Sequence, residues 1–439
     1  MRKFFDAVTT NRYAENRQLL SFASGDFLAS KFDNAFFQYV DPLLQGRQLS
    51  KLLQLVQTIF KYHDFQADNP YKFHKLIPSA RNVHPEIPYV MIFGKAFRYD
   101  AIFNRFIYCG EVQYSKDFQL VIALDVGRLC MEYGTFGVVL SLLDLGHIIA
   151  EFERIAVDEK SGVEIAYMFD REEVKQQLHT DDDIFFGSVI RISNKQLASE
   201  TMQFKSQNEV LGKNRKLIDY SRELSLLGVT KYLHSFTKIP EFQRKGEQLA
   251  SSGDLSRIST GRTSANSSTG LTDLGVHIPA KKWRELLKAS TQIMKRYQDK
   301  GNFTLHILVR NQGTEIDGYY CIGKQVTKSD QISIDFDEVL HDSKEFFNLE
   351  DASYVSFVTY RDSLISVQEQ IYYSHVFSAE IIHHLSEFFT TKGYYTRPMK
   401  NFDDAYLKQK FIIHAQERVI YMLLAGNAVT SNFKYVLER

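Results

Sequence analysis

The stretch Lys75–Pro85, KLIPSARNVHP, holds the residue types best suited to working on a flat ligand. Pro78, Ser79, Ala80 and Asn82 put a proline, small residues and an amide just ahead of the apolar segment IPYVMIFG. Such a run makes a turn with free backbone N–H groups and short hydroxyl and amide arms, able to lie against a planar, polar molecule. The same residues also make an ordinary loop-to-strand turn. His84 either lines the pocket or has a capping or packing role.

Other reactive residue types lead nowhere specific. His383 and His384 are adjacent, so on a helix they point about 100° apart and cannot share an ion by themselves. No Glu-x-x-His pattern accompanies them or His375, and no metal site is expected. Cys109, Cys130 and Cys321 are odd in number and contain no CxxC pair, which removes a zinc cluster or a disulfide framework. Buried thiols in a reducing, cytoplasmic setting are expected instead. Without GxSxG or GxGxxG, hydrolase and dinucleotide-binding readings have no support. Asp181–Asp183 reads as a solvated turn.

A chain of 439 residues is long for one core and fits two domains. Lys+Arg 53 against Asp+Glu 53 leaves no net charge, so neither nucleic acid nor an anionic membrane is an expected partner. The N-terminal segment turns polar too early for a secretory signal. The longest strongly apolar stretch, GVVLSLLDLGHIIA, carries Asp144 and His147 and falls short of the roughly 20 residues a bilayer requires.

The elements that must position the turn follow from periodicity. Residues 1–60 read as mostly helical, with Leu49, Leu52, Leu53, Val56 and Ile59 at helical spacing. YVMIFGKAFRYD reads as a strand and its exit. FQLVIALDVG reads as a buried strand leading into the long helix RLCMEYGTFGVVLSLLDLGHIIAEF. FDREEVKQQL reads as a short helix capped by Asp170, and IFFGSVIRI as a closing strand. Residues 193–230 are polar and basic and read as a surface connector. The Ala250–Gly270 stretch is Ser/Gly-rich, has no Gly-Lys-Ser/Thr, and by composition is a flexible linker.

In the second half, IPAKKWRELLKASTQIMKRY is an amphipathic helix with Trp283, Leu286 and Leu287 on one face. FTLHILVRN and DGYYCIGKQV are strands. QIYYSHVFSAEIIHHLSEFFTTKGYYTRP reads as a second strand-to-helix unit. FDDAYLKQKF and ERVIYMLLAG then repeat the order of FDREEVKQQL and IFFGSVIRI. A repeat this long means duplicated domains. We expect an α+β fold with an N-terminal domain over 1–205, a connector over 206–230 and a C-terminal domain over 231–439. The two would form an intrachain pseudo-dimer with a ligand at the interface.

PSARNVHPE before a strand resembles the corresponding turn of the nitroreductase superfamily. The likeness is strongest to the azoline dehydrogenases that oxidise thiazolines and oxazolines in streptolysin- and microcin-like peptides. YLHSFTK at Tyr232–Lys238 is similar to the opening of those enzymes. Arg262–Ser264 resembles their Arg-x-Ser flavin-phosphate motif, and DGYYCIG resembles their Gly-Leu-Tyr strand. PMKNFDDAYLKQKF with ERVIYMLLAG is similar to the superfamily's closing segment.

The resemblance implies one composite FMN site per chain. Arg262 and Ser264 would hold the phosphate, with a planar fork of donors and a hydroxyl. Pro78, Ser79, Ala80 and Asn82 would wall the ring. Lys400 and Asn401 stand where the superfamily places a donor to the reactive flavin nitrogen. It implies oxidation of an azoline to an azole in a ribosomally made precursor peptide, delivered by a cyclodehydratase complex. Further homo-oligomerisation is compatible with this. The dehydrogenases also carry a Lys-Tyr pair. Gln113 and Tyr114 take its place in the first half and Ser366 and Val367 in the second, so the lysine is missing and Tyr114 remains as the proton acceptor or donor. The alternative is a catalytically degenerate subunit acting as scaffold or FMN-binding partner.

Overall fold

The computed structural model describes residues 37–45, 47–65, 73–101, 104–156, 162–178, 180, 184–193, 201–209, 243–245, 279–298, 302–310, 315–323, 325–329, 334–340, 353–362, 366–392, 394–426 and 435–436. Two compact units emerge: Gln18–His63 with Lys75–Leu255, and Met1–Arg17 with Asp64–His74 and Ser256–Arg439. In chain order the elements begin with β1 (Phe37–Gln45), α1 (Arg47–Phe60), β2 (Asp64–Phe65) and β3 (Phe73–His74). They continue with β4 (Glu86–Ile92), β5 (Lys95–Asp100), β6 (Arg105–Glu111), β7 (Phe118–Asp125), α2 (Val126–Tyr133) and α3 (Gly137–Ala156). Next come β8 (Gly162–Ala166), α4 (Arg171–Leu178), β9 (Ile184–Ser193), β10 (Thr201–Glu209) and β11 (Gln243–Lys245).

The C-terminal unit holds α5 (Ala280–Gln298), β12 (Asn302–Val309), β13 (Gly318–Ile322), β14 (Val326–Ser329), α6 (Phe336–Leu340) and β15 (Tyr354–Arg361). After these come α7 (Val367–Thr391), β16 (Tyr395–Met399), α8 (Asp404–Lys410), β17 (Glu417–Gly426) and β18 (Tyr435–Val436). Its main sheet runs β14-β13-β12-β15-β17-β16, and β18-β2-β3 form a small separate sheet.

The N-terminal sheet runs β10-β1-β6-β5-β4-β7-β9-β8-β11. Its inner six strands, β6-β5-β4-β7-β9-β8, correspond one for one with the six of the C-terminal unit. The helices correspond too. α1 and α5 precede the first central strand, α2–α3 and α7 follow the fourth of the six, and α4 and α8 sit between the last two. The fold class is α+β, with antiparallel sheets flanked by helices, and the duplication expected from the order of elements is present.

Apolar spacing explains which faces close. In α1 the residues Leu49, Leu52, Leu53, Val56 and Ile59 are all buried. Trp283 and Leu286 are buried on α5, with Leu287 half-buried. α3 packs across β4, β7 and β9, and α7 across β15, β16 and β17. On the opposite faces the short acidic-capped helices close the sheets: Leu178 of α4 joins Met91, Val121 and Phe186, and Leu407 of α8 joins Val355, Phe357 and Met422. Both caps are local. Asp170 accepts the Glu173 amide at 3.0 Å, and Asp403 accepts the Tyr406 amide at 2.8 Å. Val126–Ile155 is long and apolar enough to cross a bilayer, but 94% of its apolar window is buried as core helix.

Six readings need correction. Residues 37–45 are a strand, paired along their whole length with 201–209, so the helical reading of 1–60 fails there and part of the polar 193–230 stretch is also strand. The partner supplies what local periodicity lacks. YVMIFGKAFRYD spans two strands, with the hairpin turn at Phe93 and Gly94, both at positive φ. QIYY lies inside α7 rather than in a strand, and β15 before it is the strand. Ser366 is the N-cap of α7, reciprocally bonded with Glu369, so Ser366 and Val367 follow that strand and do not correspond to Gln113 and Tyr114, which precede β7. Only Cys130 of the three thiols is fully buried.

Candidate functional site

The Pro78–Pro85 turn leads directly into β4, the central strand of its sheet. Ser79 is extended, and Ala80–Asn82 make a tight turn closed by Asn82 N–H to Ser79 O at 3.1 Å. Arg81, Asn82 and His84 have φ of 51°, 51° and 53°. Asn tolerates that left-handed region, whereas Arg and His sit there at a cost of about 1–2 kcal/mol each. Three such residues in four persist only if the surroundings dictate the shape.

The surroundings do so from two helices. The Ser79 hydroxyl donates to Asp144 Oδ2 of α3 at 2.6 Å and accepts the His84 amide at 3.0 Å. From α2, Glu132 accepts from Arg81 at 2.7 Å, and the Arg81 guanidinium lies 4.8 Å from the Tyr133 ring centroid. Arg128, paired with Asp125 at 2.8 Å, reaches the His84 carbonyl at 3.5 Å. The Asp125 amide donates to Pro85 O at 2.8 Å.

Beneath the turn lies a buried charge cluster. Lys75 Nζ is 2.8 Å from Glu86 Oε1 and 4.9 Å from the Tyr62 ring centroid. His84 Nδ1 is 3.4 Å from the same carboxylate. Burial alone would push Glu86 up, but Lys75 and His84 outweigh it and hold the carboxyl far below its usual range. Asp144 goes the other way. Burial raises it well above the ordinary carboxylate value; the Ser79 hydrogen bond and Lys75 only partly oppose this, and the Glu86 charge adds to it. The two carboxyls of the cluster are thus shifted in opposite directions, Glu86 down by its cationic neighbours and Asp144 up by burial.

The sequence-derived candidates fall as follows. Pro78, Ser79, Ala80 and Asn82 come together on this turn, all half-buried. Ser79 is its anchor, since its single hydroxyl proton goes to Asp144. Lys400 is 5% exposed, donates to Val419 O at 3.3 Å and lies 5.1 Å from the Phe402 ring centroid; Asn401 beside it is half-buried. Tyr114 sits in the loop between β6 and β7, 63% exposed, with its ring beside Gly94. Arg262, Ser264, the Tyr232–Lys238 segment, the Ala250–Gly270 stretch and Asp181–Asp183 lie outside the described residues. The residues that sequence reasoning missed are Asp144, Glu86 and Lys75; a lone carboxylate inside an apolar helix was the available signal for the first.

Pro78, Ala80 and Asn82 are half-buried on a turn that Ser79 ties to α3 and Arg81 ties to α2. Lys400 adds a buried cation to its own unit.

No family model matches the sequence, and no curated protein matches it. Among solved structures, a protein assigned as a nitroreductase from Anabaena variabilis is similar over 95% of this chain and 95% of its own, with a TM-score of 0.64 and 14% identity. One with the same assignment from Ralstonia eutropha covers 39% of this chain and 84% of its own, at a TM-score of 0.29 and 12% identity. A chain of the E. coli microcin synthetase McbBCD complex, solved with truncated pro-MccB17 bound, covers 50% and 85%, at 0.29 and 8%. The full-length likeness shows a nitroreductase-like fold, and the strand order repeated in both units shows it in tandem.

Proposed function

We propose that this chain is an FMN-dependent oxidoreductase that converts azoline rings to azoles in a ribosomally made peptide, supplied by a cyclodehydratase complex. The observation that carries the flavin reading is the tandem nitroreductase-like fold, with the Pro78–Asn82 turn held rigid at the head of β4. The azoline step rests on the order of motifs in the sequence. Bound FMN supplies a two-electron acceptor. Arg262 and Ser264 take its phosphate, by charge-assisted hydrogen bonds. The turn supports the ring through Pro78, Ala80 and Asn82, with Ser79 as anchor. By the resemblance, Lys400 and Asn401 would supply positive charge and a donor to the flavin, and Tyr114 would serve as proton acceptor or donor.

Purified protein should be yellow, and Arg262→Ala should weaken FMN binding by about 2–3 kcal/mol. Colourless protein that takes up no FMN removes the reading, and an unchanged dissociation constant misplaces the motif. Incubation with an azoline peptide and FMN should remove two mass units per ring.

The exposure of Tyr114 and the missing lysine favour one second reading, a flavin-holding or scaffold subunit. It predicts no mass loss even within the full complex.

A further inference from the structure

We propose that Asp144 is a positioning residue for the ligand-facing turn, acting as the hydrogen-bond acceptor of the Ser79 hydroxyl. This rests on the flavin reading above for its purpose, but not for its geometry. Asp144 lies in the middle of α3, among Ser141, Leu142, Leu143, Leu145 and Ile148, all buried. A carboxyl is an expensive occupant of such a helix unless it is hydrogen-bonded or neutral. It faces the turn and reaches Ser79 at 2.6 Å, across 65 residues of sequence.

Ser79 in turn accepts the His84 amide, so one side chain ties both ends of the positive-φ segment to α3. The charged groups around it are Lys75 ahead of the turn, His84 at its end and Glu86 on β4, and the cation is already engaged by Glu86. A second carboxylate would find no unshared positive charge among these three. The cluster therefore suits a neutral acceptor at 144, and an amide oxygen should serve as well as a carboxyl.

The test compares full-length wild type, Asp144→Asn and Asp144→Ala by hydrogen–deuterium exchange without ligand and by FMN titration. Asp144→Asn should match wild type within twofold in exchange over residues 79–85 and in FMN affinity. Asp144→Ala should speed exchange in that segment at least tenfold, leave β7 and β9 protected, and weaken FMN binding at least tenfold. Asp144→Ala within twofold of wild type in both readouts overturns the proposal. So does an Asp144→Asn protein that behaves like the alanine variant, and this arm decides alone if Asp144→Ala does not fold. Wild type that binds no FMN sinks the proposed function, while ligand-free exchange still judges Asp144.

Discussion

His306 on β12 donates from Nε2 to Thr359 Oγ1 on β15 at 2.9 Å, and the direction of that bond is fixed by its neighbours. Thr359 spends its one proton on Glu417 Oε2 at 3.1 Å, so it must accept from the ring. Nδ1 is then unprotonated and accepts from the Tyr319 hydroxyl at 2.5 Å. Arg361 closes the chain on Glu417 at 2.6 Å. The ring is stacked 4.7 Å from Phe357 and 5.9 Å from Tyr319.

This makes the C-terminal unit acid-sensitive. Burial pushes His306 from 6.5 down to about 3. A group depressed in the folded state contributes stability that is fully present above its unfolded value and is lost as pH falls toward the folded one. The loss should run at about 1.4 kcal/mol per pH unit between 6.5 and 3. His375, also lowered to about 3 by burial, adds a parallel loss. His306→Phe keeps the stacking but strands Tyr319 and Thr359, costing about 2–4 kcal/mol at neutral pH. It should roughly halve the acid slope, measured by urea unfolding from pH 7.5 to 4. A slope equal to wild type would refute the neutral, buried assignment.

Lys75 and Glu86 should be destabilising to separate and tolerable to remove together. Their side chains are 4% and 1% exposed, so Lys75→Met leaves a carboxylate buried beside His84 and should cost about 3–5 kcal/mol. Adding Glu86→Gln should recover part of that loss. Because Glu86 is held below its unfolded value, its contribution is present above about pH 4.5 and is lost on further acidification. The double variant should lack that component. Additive single losses in a double-mutant cycle would show the pair to be uncoupled.

The α2–α3 junction depends on the absence of a side chain at Gly137. A Cβ there would overlap the backbone of Leu129 and Cys130, which cannot swing aside as a side chain can. Gly137→Ala should cost about 2–4 kcal/mol by overpacking. Gly323→Ala, where the nearest atoms are Thr304 side-chain atoms at 3.8 and 3.9 Å, is the control and should stay within about 0.5 kcal/mol. Comparable melting temperatures for the two variants would contradict the close helix crossing.

What could be read in the sequence was whatever is decided within a few residues. Asp170 and Asp403 each cap an amide three positions on, and the apolar stripe of α1 names its own buried face. The order FDREEVKQQL then strand, and FDDAYLKQKF then strand, was enough to reveal the duplication. What stayed hidden depends on distant partners. β1 is a strand because of β10, and the β4–β5 hairpin disappears inside one apolar-aromatic run. The Ser79–Asp144 bond was hidden because Asp144 arrives from another element, 65 residues on. A lone aspartate in an apolar helix signalled a buried role without saying which one.

Ile412 is the clearest case of a residue at odds with its backbone. It follows α8 at φ 52° and is 90% exposed. The Ile413 amide bonds to Lys408 O at 3.0 Å and the Ile412 amide to Gln409 O at 3.4 Å, the paired closure of a helix end that favours glycine at the left-handed position. A β-branched residue is costly there, and its exposed side chain recovers little by burial. The termination itself matters, because it places Phe411 4.9 Å from both Tyr319 and Phe357, beside the His306 chain. Ile412→Gly should therefore stabilise the protein by about 1 kcal/mol after the glycine's greater unfolded-state entropy is counted, with Ile412→Asn gaining less. Urea unfolding at pH 7.5 measures both. A loss of stability in the glycine variant would mean that the isoleucine side chain contributes more than its exposure allows, and the strain argument would fall.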